Sequence, residues 1–261
     1  MPVEGSGIVE PPPENCKKFT ASQIRASTIV LDGVLLSSKD TNPKDAVGAT
    51  KPPACTVSRA FLMMVRRRLG YLPTQVVWMV GMGMEEGARK YGRHNYRVAG
   101  VRSSIYFDAT NRHIDRWLLG EDIDPDSDLN HVVKAICSIA VVADACINGK
   151  LNDDRPPRSK YQWNRPELFD AQLITATDSI EKVQTYLDMW WEGAGDLDLL
   201  IDAASLLFKL ADLILRDALK DDRLKDTNPE WMADLQERMN VLIQKYPNPL
   251  PPFTQLNHGA M

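Results

Sequence analysis

The chain has 261 residues, which corresponds to one large domain or two small ones. Hydrophobic residues make up 44% and charged residues 25% of it, close to the averages of globular proteins, which argues against wholesale disorder. The formal charge of −4 argues against a general nucleic-acid binder, because such a protein needs a basic surface to displace counterions from phosphates.

Proline-rich, polar segments divide the chain. Residues 1–20 are acidic at the start, contain a proline triplet and lack the apolar run of a signal peptide. A second such break lies at 149–167, and the C-terminal end is also rich in proline. We therefore predict an N-terminal flexible arm at 1–41, a helical domain at 42–156 and a C-terminal helical region at 157–261.

The apolar residues and the cysteines indicate a compartment. No segment reaches the length of about 18 unbroken apolar residues that a membrane span requires, so we expect no membrane association. The four cysteines form no CxxC pair, which argues against a zinc ribbon or a thioredoxin-like site. A reducing cytoplasm is the expected location, the host cytoplasm if a phage encodes the chain.

The strongest periodic signals are helical, and they define five stretches. In chain order these are 104–119, 129–146, 166–191, 197–215 and 228–246. The first is followed by Gly120, a natural helix stop, and the second is apolar nearly all round, which predicts a buried helix. Only residues 28–36 suggest a short strand or hairpin. The pattern predicts an all-α helical bundle.

Two helical hairpins within the chain resemble each other. HIDRWLLG at 113–120 aligns with YLDMWWEG at 186–193, and Asp144 in the following apolar helix aligns with Asp212. Tyr186 stands in the second copy where the first has His113, so the first copy keeps more of the polar residues. The pattern is typical of a duplicated hairpin that forms a four-helix core, or it reflects two amphipathic hairpins that are alike by chance.

The loop at 120–128 carries five carboxylates, which repel one another unless solvent or a cation neutralises them. The loop does not fit an EF-hand, because its sixth position is not glycine and its twelfth is not glutamate. A Mg²⁺ site completed by substrate phosphates is one interpretation, and a solvated loop that caps the next helix is the other. His113, Glu121 and His131 flank this loop and could meet there, or His113 could be a satisfied core residue.

Residues 85–97 combine arginines and a lysine with two tyrosines. Such a cluster suits contacts to phosphates and to a base, although neighbouring glutamates also fit a salt-bridged helix end. The sequence contains no P-loop and no complete dinucleotide fingerprint.

Four motifs in order resemble the phage and bacterial family called dATP/dGTP diphosphohydrolase, N-terminal domain, a relative of the MazG-like all-α nucleotide pyrophosphohydrolases. They are NPKDAVGATKPP, EGARKYGRHNYR, GVRSSIYFDATNRHIDRWLLGEDIDPDSDLNH and DACINGKLNDDRP, and the resemblance extends from Asn42 to Pro156. It implies hydrolysis of a purine deoxynucleoside triphosphate to monophosphate and pyrophosphate with Mg²⁺ or Mn²⁺, in the control of a phage nucleotide pool. It also implies a homo-oligomer.

The resemblance further implies roles for individual residues. Catalysis is expected of Glu121, His131 and His113. Metal binding is expected of Glu86, Asp108, Glu121, Asp124 and Asp144, of which the last could instead pair with an arginine inside the bundle. Substrate binding is expected of Lys44, Lys51, Lys90, Asn95, Arg97, Arg112 and Lys134.

Lys134 departs from the family pattern, which often has a second histidine at this position. A lysine in a metal shell repels the cation unless its ammonium points to a substrate phosphate. Two other hypotheses therefore stay open: a catalytically impaired nucleotide-binding or interaction protein on the same scaffold, and a purely structural helical protein.

Overall fold

The computed structural model describes residues 51, 53–167, 175–223, 237–238, 240–241 and 244–245. The chain divides into two units, Met1–Lys51 and Pro52–Met261, and every element below lies in the second. The predicted N-terminal arm, the strand at 28–36 and most of the helix at 228–246 lie outside the described residues. The three-part division of the chain stays a prediction.

Helices make up most of the described structure, which confirms the all-α prediction. A 3₁₀ turn, Ala54–Thr56, precedes α1 (Arg59–Leu69), α2 (Thr74–Tyr91), α3 (Asn95–Val98), α4 (Ser103–Leu118), α5 (His131–Ile147), α6 (Ala176–Trp191) and α7 (Leu197–Leu215). Among the described residues, four two-residue strands form two pairs. β1 (Val101–Arg102) pairs in parallel with β4 (Leu151–Asn152), and β2 (Ile123–Asp124) pairs antiparallel with β3 (Leu129–Asn130). No helix among the described residues is long and apolar enough to cross a membrane.

The core lies between two helical hairpins, α4–α5 and α6–α7. The inner helices α5 and α7 pack against each other, while α2 covers α5 and α1 covers α7. Nearly every residue of α5 from His131 to Ala145 is buried, as its apolar sequence predicts. Trp117 and Trp190, at the ends of α4 and α6, are among the largest fully buried side chains.

The two hairpins correspond in detail. Ser103 and Leu118, the bounds of α4, have their counterparts in Ala176 and Trp191, the bounds of α6, both 73 residues later. The five-residue shortening of the second copy falls in the loop that is acidic in the first. The correspondence favours the duplicated hairpin over a chance likeness.

Equivalent hydrogen bonds extend the correspondence beyond the hairpins. The backbone N–H of Ser104 donates to Asp154 at 2.8 Å, and that of Thr177 donates to Asp222 at 2.9 Å. Each carboxylate belongs to an Asp-Asp-Arg sequence, at 153–155 and at 221–223, that follows the inner helix of its copy. The duplicated unit is therefore longer than the aligned sequences indicate.

The predicted helix start at residue 166 is wrong. Residues 166–167 are not helical, and α6 begins at Ala176, preceded by Thr175, whose hydroxyl accepts a hydrogen bond from the N–H of Asp178 at 3.2 Å. This side chain satisfies one of the free N–H groups of the first helical turn, which sets the start of the helix.

Candidate active site

The acidic loop, residues 119–130, is an ordered turn between α4 and α5. Its second residue is Gly120, whose φ of +96° lies in the region that favours glycine, and α4 ends just before it, as the sequence predicts. The carbonyl of Asp124 accepts hydrogen bonds from the N–H groups of Ser127 and Asp128 at 3.2 Å and 2.9 Å, and the hydroxyl of Ser127 donates to the carboxylate of Asp124 at 2.6 Å. The turn thereby buries one carboxylate, that of Asp124, beside the start of α5.

Two histidines and a glutamate meet at the end of this hairpin. The Nδ1 atoms of His113, on α4, and His131, the first residue of α5, lie 2.8 Å apart, which is a hydrogen-bond distance. His131 is fully buried, and its Nε2 lies 3.6 Å from the nearer carboxylate oxygen of Glu121, which is beyond a direct hydrogen bond. The structure thus brings together the three residues of which catalysis is expected.

Burial keeps both imidazoles neutral at pH 7. Desolvation, with the neighbouring His131, lowers the pKa of His113 to about 4, and desolvation also lowers the pKa of His131. Because a neutral imidazole carries one N–H, only one of the two facing Nδ1 atoms donates. The carboxylate of Glu121 favours the N–H of His131 on Nε2, which makes His113 the donor and leaves the Nε2 of His113 with a free lone pair.

A second group of charges lies between α2 and α5. The ammonium of Lys134 lies 2.5 Å from Glu86 Oε2 and 3.9 Å from Asp124 Oδ2, and Lys90 also pairs with Glu86. Burial alone would raise the pKa of Glu86, but its two lysine partners lower it. Glu86 and Asp124 are therefore ionised at neutral pH, with a protein cation between them.

We call six of these side chains the polar cluster: Glu86, His113, Glu121, Asp124, His131 and Lys134. Its carboxylates are the hard oxygen donors that Mg²⁺ prefers, but the ammonium of Lys134 stands where such a cation would lie. Among the residues that the structure describes, no group of three or more His, Cys, Asp or Glu side chains is arranged to hold a metal ion. The cluster in this arrangement therefore does not fit a preformed metal centre.

Asp144 and Arg97 form an ion pair away from the polar cluster. Two guanidinium nitrogens of Arg97 donate to the two carboxylate oxygens of Asp144 at 2.6 Å and 2.7 Å, and Asp144 is fully buried. This geometry favours the alternative in which Asp144 pairs with an arginine inside the bundle. The same pair occupies the guanidinium of Arg97, of which substrate binding is expected.

The remaining predicted residues lie at the surface or outside the described part. Asp108 and Arg112 are exposed on α4, Lys51 is exposed, and Asn95 begins the short helix α3. Lys44 lies outside the described residues.

Two contacts within or to the acidic loop are not predicted from the sequence. The hydrogen bond of Ser127 to Asp124 has only a weak signal, the three-residue spacing typical of a turn. Arg223, which donates to Asp122 at 2.6 Å, lies 101 residues away along the chain. The repeated Asp-Asp-Arg sequence would have singled out Arg223, but not its partner in the other half of the chain.

The fold and the site together define an all-α protein with a cluster of histidines, carboxylates and a lysine at one end of a helical hairpin. Residues 42–155 match the family described as dATP/dGTP diphosphohydrolase, N-terminal. This match confirms the resemblance seen in the sequence, and it includes the whole polar cluster but not the second hairpin. Neither the curated proteins nor the solved structures gave a match.

Proposed function

We propose that the chain hydrolyses dATP or dGTP to the nucleoside monophosphate and pyrophosphate, and that it serves to control a phage nucleotide pool. The observation that carries the proposal is the hydrogen-bonded pair of His113 and His131 with Glu121 behind it, because this arrangement lies inside the matched segment. A neutral histidine whose orientation is fixed by a second polar side chain is the usual form of a general base.

In the proposed reaction His113 acts as the base. Its free Nε2 accepts a proton from water while the water oxygen forms a bond to the α-phosphorus. The bond from that phosphorus to the bridging oxygen breaks, and pyrophosphate leaves with the electron pair. Glu121 and His131 stabilise the positive charge that develops on His113, since the carboxylate lies behind the buried ring of His131.

We propose that the two lysines that pair with Glu86 contact the triphosphate. Lys90 is half-exposed and Lys134 lies beside it, both paired with Glu86, so each can exchange that carboxylate for a phosphate oxygen. Lys44, Lys51 and Arg112 stay predicted contacts to phosphate or base.

Mg²⁺ or Mn²⁺ is proposed to arrive with the nucleotide. Bound to the phosphates, such a cation would neutralise part of the charge of the triphosphate, including that on the pyrophosphate leaving group. A preformed site is not required for this role, because Mg²⁺ keeps several waters and is bound largely by substrate phosphates.

A second candidate function is nucleotide binding without turnover. The observation that favours it is the ammonium of Lys134, which lies 2.5 Å from Glu86 and 3.9 Å from Asp124 and repels a metal ion. In this case the scaffold binds a purine nucleotide or another protein and hydrolyses nothing.

The two candidates are separated by incubating the folded protein with each of the four deoxynucleoside triphosphates and Mg²⁺ or Mn²⁺ and measuring pyrophosphate. We expect release from dATP or dGTP above that from dCTP and dTTP. Calorimetric binding of dATP or dGTP without release would support the second candidate. No release together with no binding would overturn both the hydrolysis and the nucleotide binding. Light scattering in the same buffer tests the predicted homo-oligomer.

A further inference from the structure

We propose that Arg223, which belongs to the second half of the duplicated chain, positions the acidic loop of the first half and with it Glu121. The inference rests on the proposed function, which it deepens by assigning a positioning residue outside the matched segment. Arg223 contacts no member of the polar cluster directly, so its role is to hold the backbone that carries one.

The guanidinium of Arg223 is anchored on one side by its own half of the chain. Its side chain is only 6% exposed, and its Nε and Nη2 atoms donate to the two carboxylate oxygens of Asp221, each at 2.8 Å. A planar guanidinium held at two points in this way has a fixed orientation, so its remaining donors point in a fixed direction.

The free side of the guanidinium reaches the start of the acidic loop. It lies over the ring of Trp117, 4.1 Å from the ring centre, and its Nη1 donates to the Trp117 carbonyl at 2.8 Å and to the Asp122 carboxylate at 2.6 Å. These two acceptors flank Gly120 and Glu121 along the chain. One buried cation therefore holds a backbone carbonyl on one side of Glu121 and a side chain on the other.

Asp122 links Arg223 to the buried His131. The carbonyl of Asp122 accepts a hydrogen bond from the N–H of His131 at 3.1 Å, while its carboxylate accepts from Arg223. Loss of Arg223 would leave Asp122 held from one side only. We therefore expect the distance between Glu121 and His131 to depend on Arg223.

The duplication supplies a matched control in Arg155. Its guanidinium lies 4.5 Å from the centre of the Trp190 ring, donates to the Trp190 carbonyl at 2.6 Å and pairs with Asp153 at 2.7 Å. The loop that follows Trp190 is shorter and has Ala194 opposite Glu121 in the alignment. Asp196 of this loop acts on Arg155 only through its charge, whereas Asp122 accepts a hydrogen bond from Arg223. Arg155 thus makes the structural contacts of Arg223 without the contact to an acidic loop.

The test compares Arg223→Ala with Arg155→Ala in the full chain. Thermal unfolding, amide hydrogen exchange of residues 119–131 and steady-state pyrophosphate release are measured for both variants. We expect similar losses of melting temperature, because both variants lose the same stacking and carbonyl contacts. Only Arg223→Ala should speed exchange in the acidic loop and lower kcat, by about tenfold or more, with KM within about threefold of wild type.

Equal exchange in the acidic loop for the two alanine variants would overturn the proposal. Should Arg223→Ala fail to fold, Asp122→Asn carries the same test, because Asp122 is exposed and its loss leaves the anchor of Arg223 to Asp221 intact. If the wild-type protein releases no pyrophosphate, the proposed function fails, whereas the exchange comparison still decides whether Arg223 positions the loop.

Discussion

The ammonium of Lys134 on α5 lies 2.5 Å from Glu86 on α2, and the equivalent position on α7 carries the opposite charge. That position is Asp202, 68 residues later, which pairs with Arg68 on α1 at 2.9 Å and with Arg165. In each half an ion pair thus joins the inner helix to the helix that covers it. The inner helix supplies the cation in the first half and the carboxylate in the second. In the second half, two arginines close around the single carboxylate, and no histidine stands at the positions of His113 and His131.

We expect Asp202→Asn to lower the free energy of unfolding by roughly 1–3 kcal/mol, because the variant removes the buried partner of two arginines that are themselves partly hydrated. Asp198→Asn is the control: Asp198 pairs with the same Arg68 at 3.0 Å, but its side chain is 69% exposed. Its loss should change stability by less than about 0.5 kcal/mol. Urea unfolding measures the free energy of unfolding of both variants. An equal loss of stability in the two variants would contradict the prediction.

Lys134→Gln should increase the affinity for Mn²⁺ in the absence of nucleotide. The substitution removes a positive charge 3.9 Å from Asp124 and frees Glu86 from one of its two lysines. A like charge at about 4 Å opposes a cation by roughly 4 kcal/mol per unit charge at an effective dielectric constant near 20, so a gain of about tenfold or more is expected. Electron paramagnetic resonance of free Mn²⁺ measures the affinity. Lys150→Gln, at an exposed lysine after α5, should leave it unchanged, and an equally weak affinity in both variants would contradict the prediction.

The sequence predicts features that depend on local or periodic patterns. The apolar run of α5 predicts its burial, and Gly120 predicts the end of α4. The likeness around Trp117 and Trp190 fits either a duplicated hairpin or a chance likeness, and the matching helix bounds favour the duplication. Contacts between distant side chains are not predictable in this way, because they depend on how the helices pack. Lys134 pairs with Glu86, which lies 48 residues away along the chain. Arg223 pairs with Asp122, which lies 101 residues away, in the other copy of the repeat.

Gly81→Ala should lower the free energy of unfolding by roughly 1–3 kcal/mol, because an added methyl group overpacks a tight contact. A Cβ at Gly81 would lie 2.7 Å from the carbonyl oxygen of Pro53, and the carbonyl of Gly81 itself accepts a hydrogen bond from Thr56. Gly87→Ala is the control in the same helix, since nothing lies within 4 Å of its added Cβ. That variant should gain about 0.5–1 kcal/mol from helix propensity. Thermal unfolding distinguishes a loss from a gain, and the same sign for both variants would be inconsistent with this packing.

The histidine pair should make stability fall as the pH drops from about 6.5 toward 4. The pKa values of His113 and His131 are lowered in the folded protein, His113 to about 4, so protons bind the unfolded chain first and favour it. The stability that the neutral pair supplies is complete above the unfolded pKa near 6.5 and is lost as the pH falls through the folded pKa. Carboxylates such as Glu86, whose pKa is lowered from 4.5, lose their contribution to stability as the pH falls to 4.5 and below, so the range from pH 7 to 5 reports mainly on the histidines. Urea unfolding at pH 7, 6 and 5 measures the free energy of unfolding, which should fall less with decreasing pH for His113→Asn than for wild type. An equal fall in both proteins would contradict the prediction.

Glu121→Gln should abolish pyrophosphate release while the melting temperature stays near that of the wild type. The carboxylate of Glu121 is 42% exposed and makes only long ion pairs, at 3.6 Å to His131 and 3.8 Å to Arg116, so its charge adds little to stability. Its proposed role is to hold the proton of His131 on Nε2 and to stabilise the charge that develops on the histidine pair, and a neutral amide does this poorly. Asp126→Asn, on the same loop and exposed, is the matched control and should keep wild-type turnover. A drop of several degrees in melting temperature for Glu121→Gln, with turnover retained in the remaining folded protein, would instead identify Glu121 as a structural residue of the acidic loop.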